Sequence, residues 1–214
     1  MEPKYNILLV NGSPHVKGCI GRAFDELERT LHENGISTTR INVGNKEIRG
    51  CIGCNYCKTH GKCVFDDAVN ETAPLLAEAD GMIVGTPVYY AGANGQLHAF
   101  LDRLFYSTFG NIDYNQKVGA TVVSSRRAGS TSAFDSLNHF FSMNSMPVVS
   151  STYWNEVHGF TAEDVESDLE GLQTMRNLAR NTAFLVKAIR AQKEKEGLPV
   201  QEHDAFTSFF AERR

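Results

Sequence analysis

Short apolar runs alternate with longer stretches in which apolar residues recur every three or four positions, and this alternation organises most of the chain. Residues 5–10 (YNILLV) form a continuous apolar run ending in Asn-Gly, the pattern of a strand buried on both faces of a parallel sheet. Beyond that turn, Ile20, Phe24, Leu27 and Leu31 fall at helical spacing until Asn34-Gly35 stops them. A second strand is predicted over 36–43 (ISTTRINV). A helix follows over 66–80, with Val69, Leu75 and Leu76 inward and a bend near Pro74. The order then repeats as strand 81–86 (GMIVGT), helix 95–107, strand 118–124 (VGATVVS), helix 132–141 and a fifth strand over 146–151 (MPVVSS). Residues 168–195 carry Leu172, Met175, Leu178, Val186 and Ile189 on one helical stripe. The pattern predicts one domain over 1–195 with a cysteine-rich loop at 50–63, then a polar tail over 196–214 ending in a short helix through AFTSFFAERR.

Five strands alternating with helices predict the α/β class, a doubly wound parallel sheet with helices on both faces and right-handed crossovers. In such sheets ligands bind beyond the carboxyl ends of the strands, where strand order reverses. The residues just after each strand are therefore the candidates for chemistry.

Composition adjusts this picture only slightly. With 214 residues, 42% of them hydrophobic, the chain can bury a full core without covalent staples. A net charge of −4 gives no basic excess to hold nucleic acid or a membrane surface. No apolar run approaches the roughly 20 residues of a membrane span, and the first residues lack a signal-peptide pattern. A cytoplasmic protein is expected.

The first such loop reads NGSPHVKGCIGRA, residues 11–23. Backbone N–H groups at a helix start make an anion site, and one phosphate suits this loop. It is neither the dinucleotide fingerprint nor a P-loop, because G-x-G-x-x-G and Gly-Lys-Ser/Thr are both missing. After the third strand comes TPVYYAGANGQLHAFLDR, residues 86–103, whose Pro87, Tyr89 and Tyr90 offer a flat wall for a planar ring. After the fourth comes SSRRAGSTS, with Arg126 and Arg127 beside Gly129. Each feature alone also has a bland reading, as a turn, rim packing or a solvated arginine pair. Three together, each at a strand end, point to a site.

At these residues the chain resembles the NADPH-dependent FMN reductase family of the flavodoxin-like superfamily, over most of 5–190. The likeness rests on the NGSP loop, the TPVYY–NGQL–FLDR stretch and the position of the cysteine loop. Within the family it is most similar to the iron–sulfur flavoproteins, which carry C-x2-C-x2-C-x5-C after the second strand, as do Cys51, Cys54, Cys57 and Cys63 here. The resemblance implies a five-stranded flavodoxin-like sheet in the order 2-1-3-4-5 and a noncovalently bound FMN. The FMN phosphate would lie in the loop of Ser13, His15, Lys17, Gly18, Cys19, Ile20 and Gly21. The ring would lie between Pro87, Val88, Tyr89, Tyr90, Gly92 and Asn94 on one side and Ser124, Arg126, Arg127 and Gly129 on the other. A homodimer or homotetramer is implied as well. The family's loop usually reads GSPR followed by Gly-Asn-Thr. Here His15 stands for the arginine, and Cys19 and Ile20 for the asparagine and threonine. The phosphate loses side-chain donors by this, and backbone N–H groups with Ser13 carry more of it.

Four of the five cysteines fall within residues 51–63. Thiolates at i, i+3 and i+6 can wrap one corner of a 4Fe–4S cluster, and a fourth a few residues on closes it. Structural zinc sites use two knuckles separated by a longer spacer. A metal-free reading, as thiols, a disulfide or a C-x-x-C dithiol, also stays open. With the cluster, FMN would convert between a two-electron donor and one-electron chemistry, with no acid–base residue required. The expected function is an FMN-dependent oxidoreductase fed by NAD(P)H or a ferredoxin-like donor and serving a small-molecule or protein acceptor. The competing classes are a non-enzymatic electron carrier and a cofactor-free interaction module. His60, His98, His139, His158 and Trp154 are secondary candidates that no spacing ties together.

Overall fold

The computed structural model of the protein describes residues 4–205 and 207. The helix expected over 205–214 falls almost wholly outside them.

In chain order the elements are β1 (Asn6–Asn11), α1 (Cys19–Glu33), β2 (Ser37–Asn42), α2 (Tyr56–His60), α3 (Ala68–Glu78) and β3 (Gly81–Pro87). They continue as α4 (Gly95–Thr108), β4 (Val118–Ser125), α5 (Ser130–Met143), β5 (Glu156–His158), α6 (Ala162–Ser167) and α7 (Leu169–Glu196). The five strands form one parallel sheet in the order β2-β1-β3-β4-β5. This is the flavodoxin-like arrangement. The order reverses at β1, whose neighbours are β2 and β3, and this is where a doubly wound sheet opens a crevice.

The strands read as unbroken apolar runs because helices cover both faces. Successive side chains point to opposite sides, so Ile7 and Leu9 join Ile83 and Val122 under α1 and α7. Leu8 and Val10 join Met82 and Val84 under α3, α4 and α5. Close approach has a steric requirement at Gly85, where a Cβ would come within 2.5 Å of Ile20 and 2.7 Å of Phe24 on α1. On the solvent side of the α1–α7 contact, the nearly buried Glu26 accepts from Arg29 at 2.6 Å and Arg176 at 2.8 Å, and pairs with Arg22.

The fifth strand differs from the sequence expectation. Residues 146–151 make a single bridge to β4, between Val148 and Gly119, with Gly119 donating to Pro147 O and Val149 donating to Gly119 O. Pro147 has no N–H with which to extend that ladder, and the chain loops out through Tyr153 and Trp154. It returns so that the more polar segment Glu156–His158 pairs with Val123–Ser125. The outer edge of β4 is therefore covered in two pieces, and the piece nearest the strand end is the less apolar one. Among the described residues no helix is long and apolar enough to cross a membrane.

Candidate functional site: a strand-end cavity and a four-thiol hollow

A cavity of about 820 Å3 opens at the carboxyl ends of β1, β3 and β4, a size that suits a cofactor. One wall is the β1–α1 loop. Its Ser13 N–H donates to Asn11 Oδ1 at 2.9 Å, and Ser13 Oγ accepts from His15 N–H at 3.1 Å, so the turn is braced from within. The loop delivers the chain to α1 at Gly18, which offers no side-chain cap, and no acidic residue lies in the first turn. The opening N–H groups of α1 have no partner within the helix, and the helix dipole adds positive potential there. By contrast α3, α4, α6 and α7 are capped by Asp67, Asn94, Thr161 and Asp168. The uncapped start of α1 is the helix end at this cavity that an anion would complete.

The second wall comes from β3 and β4. Val88 N–H donates to Ser124 O at 2.9 Å, tying the two loops together. Tyr89 and Gly92 exchange two backbone hydrogen bonds, closing a tight hairpin with Tyr90 and Ala91 at φ +50 and +60. Such a turn has both central residues left-handed. Its geometry keeps Tyr89 on the cavity and leaves Tyr90 fully exposed at the tip. Gly129, at φ +89, sits where a Cβ would meet Ala91 and Val88 at 3.0–3.1 Å.

Among the sequence candidates, Ser13, His15, Lys17, Gly18 and Cys19 line the cavity with Pro87, Val88, Tyr89, Ser124 and Arg126. Ile20 turns its side chain into the core beneath α1, and Gly21 lies within that helix. Asn94 is buried as the cap of α4, accepting from Gln96 N–H at 2.8 Å. Tyr90, Gly92, Arg127 and Gly129 belong to the loops that frame the cavity without lining it.

A third wall was not legible in advance. The β5–α6 loop brings Gly159, Phe160, Thr161, Ala162 and Glu163 across from the β1–α1 loop. Thr161 and Asp164 form a capping box at the start of α6, and T-A-E-D was its only sequence signal. Cys19 donates its thiol to Thr161 O at 3.3 Å, bridging the two loops. Burial first, and then the carboxylates of Asp164 and Glu163, hold that thiol above its ordinary pKa. Of the secondary candidates, His158 reaches Ser125 O at 3.2 Å, His60 stacks on Tyr56 at 3.7 Å and Trp154 packs edge-on against Tyr153, while His98 and His139 both line an open groove between α4 and α5, away from the cavity.

The four clustered cysteines lie elsewhere, in the long β2–α3 connection where it packs on the second half of α4. Cys51, Cys54, Cys57 and Cys63 line one small hollow together with Ile52, Val64, Phe65 and Tyr106. Left-handed residues at Gly53, Asn55 and Gly61 (φ +64, +58 and +68) curl the backbone around it. Asn70 clamps Cys63 by accepting from its N–H at 2.9 Å and donating to its C=O at 3.0 Å. Behind the hollow is Arg103, with 1% of its side chain exposed. Its guanidinium donates to Cys63 Sγ twice at 3.2 Å, to Asp67 at 2.7 and 2.9 Å, and to the carbonyls of Arg49 and Phe65. Burial alone would lower the guanidinium pKa, but the Asp67 and Cys63 hydrogen bonds carry it above its usual value. The buried cation is Arg103, visible beforehand only as the last letter of FLDR. Among the described residues no three His, Cys, Asp or Glu side chains stand close enough to share one metal ion.

The model of the NADPH-dependent FMN reductase family matches residues 5–161, which carry the first two walls and the cysteine loop. The chain belongs to the NADPH-dependent FMN reductase family. An iron–sulfur flavoprotein of Methanocaldococcus jannaschii is 35% identical over 191 residues, covering 86% of this chain and 98% of that protein. An iron–sulfur flavoprotein of Methanosarcina thermophila is 29% identical, covering 87% and 97%. In fold, the chain is similar to a solved NADH:FMN oxidoreductase in its apo form, with a TM-score of 0.59, 21% identity and coverage of 91% and 95%. This FMN reductase family member is accordingly an FMN-dependent oxidoreductase, and FMN is its cofactor.

Proposed function

We propose that this FMN reductase family member binds FMN in the strand-end cavity and a 4Fe–4S cluster on Cys51, Cys54, Cys57 and Cys63. In this reading it takes electrons from NAD(P)H, or from a ferredoxin-like donor, and delivers them to a small-molecule or protein acceptor. The observation that carries the proposal is the facing of four thiols onto one hollow backed by a buried guanidinium. FMN can take up an electron pair and release it singly, and an iron–sulfur cluster carries one electron at a time.

The chain's own residues would bind and orient. The uncapped N–H groups at the start of α1 receive the phosphate, with Ser13 shaping the turn, the exposed His15 offering a ring N–H and the exposed Lys17 adding positive charge. The opposite helix start, at α6, is closed by Thr161 and carries Glu163 and Asp164 in its first turn, which directs an anion to the α1 side. Tyr89 and Pro87 supply the apolar wall for the ring, and Arg126 at the rim supplies positive charge for the reduced state. No side chain of the cavity is needed as an acid or base.

At the hollow, four thiols have the chemistry that iron–sulfur clusters use, and the buried Arg103 offsets negative charge that four thiolates would concentrate. A single zinc ion would draw all four sulfurs to about 2.3 Å from one point, and no such point is preformed among the described residues. Each sulfur in a cluster binds a different iron, and the hollow, at about 20 Å3, would have to widen around either metal group. A cytoplasmic setting and assembly as a homodimer or homotetramer are part of the same reading.

Serine substitution tests the assignment directly. In anaerobically prepared protein, Cys51→Ser, Cys54→Ser, Cys57→Ser and Cys63→Ser should each lose most of the iron and keep FMN, whereas Cys19→Ser should keep both. Full iron retention in any of the first four, with fold intact by circular dichroism, would remove that residue from the ligand set. Stoichiometric zinc in place of iron would replace the cluster reading with the mononuclear one.

A further inference from the structure

The end of β2 runs directly behind the β1–α1 loop, and one buried side chain holds the two together. Asn11 closes β1 with none of its surface exposed. Its main-chain carbonyl accepts from Val43 N–H at 2.9 Å and from Gly44 N–H at 3.3 Å. Its amide oxygen accepts from Ser13 N–H at 2.9 Å. Its amide nitrogen donates to Val16 O at 3.4 Å and to Asn42 Oδ1 at 3.1 Å. The partners fix the direction of this amide, because a backbone N–H only donates and a backbone carbonyl only accepts. Asn42 must therefore turn its oxygen toward Asn11.

Gly44 follows two residues later and is buried. Its φ is not in the left-handed region, so backbone conformation does not call for glycine there. The requirement is space. A Cβ on Gly44 would fall on the carbonyl of Gly12 and against the carbonyl carbon of Ser13, far inside van der Waals contact. The loop has little room to yield the other way. Gly12 N–H donates to Gly85 O at 2.7 Å, and Leu97 of α4 stands 2.7 Å from the place of a Gly12 Cβ. The Gly12–Ser13 peptide is thus clamped between β3 and α4 on one side and the end of β2 on the other. Any shift of this peptide moves Ser13 and the turn that leads through Gly18, and so re-aims the first N–H groups of α1.

We propose that Asn42 and Gly44 are positioning residues for the flavin phosphate, holding the β1–α1 loop in the shape that selects a phosphorylated flavin over an unphosphorylated one. The inference rests on the assignment of the phosphate to the start of α1. Neither residue lines the cavity, so both act on binding through the loop alone. Their contribution belongs to the phosphate and not to the ring.

Riboflavin has the ring and side chain of FMN without the phosphate, which makes the two flavins the probes. Flavin-stripped full chain is titrated with each, and quenching of flavin fluorescence gives both affinities. Gly44→Ala should weaken FMN by about ten- to a hundredfold, the loss of one or two hydrogen bonds to a charged group, and leave riboflavin near the parent value. Asn42→Ala removes an acceptor from Asn11 without crowding the backbone. It should lower the FMN-to-riboflavin ratio in the same direction by a smaller factor, and the test stands on it alone if Gly44→Ala does not fold. Gly50→Ala, where a Cβ would meet nothing within 4 Å, should leave both affinities unchanged. Either Gly44→Ala or Asn42→Ala, folded by circular dichroism and keeping the parent's FMN-to-riboflavin ratio, would overturn the proposal, whether both affinities hold or both fall together. A parent that binds the two flavins equally well would fail differently, by removing the phosphate from the start of α1.

Discussion

At Arg103 a guanidinium with 1% of its surface exposed donates at once to the Asp67 carboxylate and to the Cys63 sulfur. A planar fork can satisfy both directions, and the point charge of a lysine cannot. Arg103→Lys should therefore lower iron retention at the cysteine loop even where the protein folds. Arg103→Met, which leaves Asp67 without its partner, should cost about 3 kcal/mol of stability as well. Iron per chain and denaturant unfolding read the two effects separately. Unchanged iron in folded Arg103→Lys would contradict the role given to this residue. The two tyrosines of the β3 hairpin also part company. Tyr89 lines the cavity and Tyr90 stands free at the tip. Tyr89→Ala should release part of the FMN through lost packing area, and Tyr90→Ala should leave FMN content near that of the parent. Flavin absorbance of matched samples decides between them, and an equal loss in both would place Tyr90 on the flavin too.

At the scale of elements, the α1–α7 contact depends on one carboxylate among three arginines. Burial works against the charged form of Glu26, yet hydrogen bonds from Arg176, Arg29 and Arg22 hold its pKa below the ordinary 4.5. A depressed carboxylate pKa stabilises the fold above the ordinary value, and that contribution is lost as pH falls through the folded-state value. Glu26→Gln should thus cost about 1–2 kcal/mol near neutral pH, since the arginines around it are partly exposed, and the gap to the parent should narrow progressively below about pH 4. Urea titrations at pH 7 and at pH 3.5 measure both gaps, and a constant difference would show that packing, rather than charge, sets the effect. Helices and strands of this kind were legible because propensity, periodicity and turn residues agree in them. The strand at 146–151 misled because apolar content was mistaken for pairing. Pro147 limits that segment to one bridge, and Glu156–His158, nearly invisible as a strand by composition, supplies the ladder. Local patterns do not record which of two segments reaches an edge.

Over the whole molecule, the parallel sheet was readable from the pattern and its order through the family resemblance, and a cavity opens at the strand ends where chemistry was expected. Ser13, Tyr89, Ser124 and Arg126 do come together at one cavity although 113 residues separate the first from the last. The β5–α6 wall was not readable, because Phe160 and Glu163 carry no motif and reach the cavity only through the crossover of the chain. Arg103 was missed for the related reason that its partners, Cys63 and Asp67, lie some 40 residues away in sequence. The central claim is that one chain holds FMN at the strand ends and a 4Fe–4S cluster on the β2–α3 loop. The most direct measurement is the flavin, iron and acid-labile sulfide content of protein purified without oxygen. The account predicts one FMN per chain, with iron and sulfide equal to each other and each about four times the flavin. FAD in place of FMN, or flavin accompanied by iron and sulfide near zero, would contradict it.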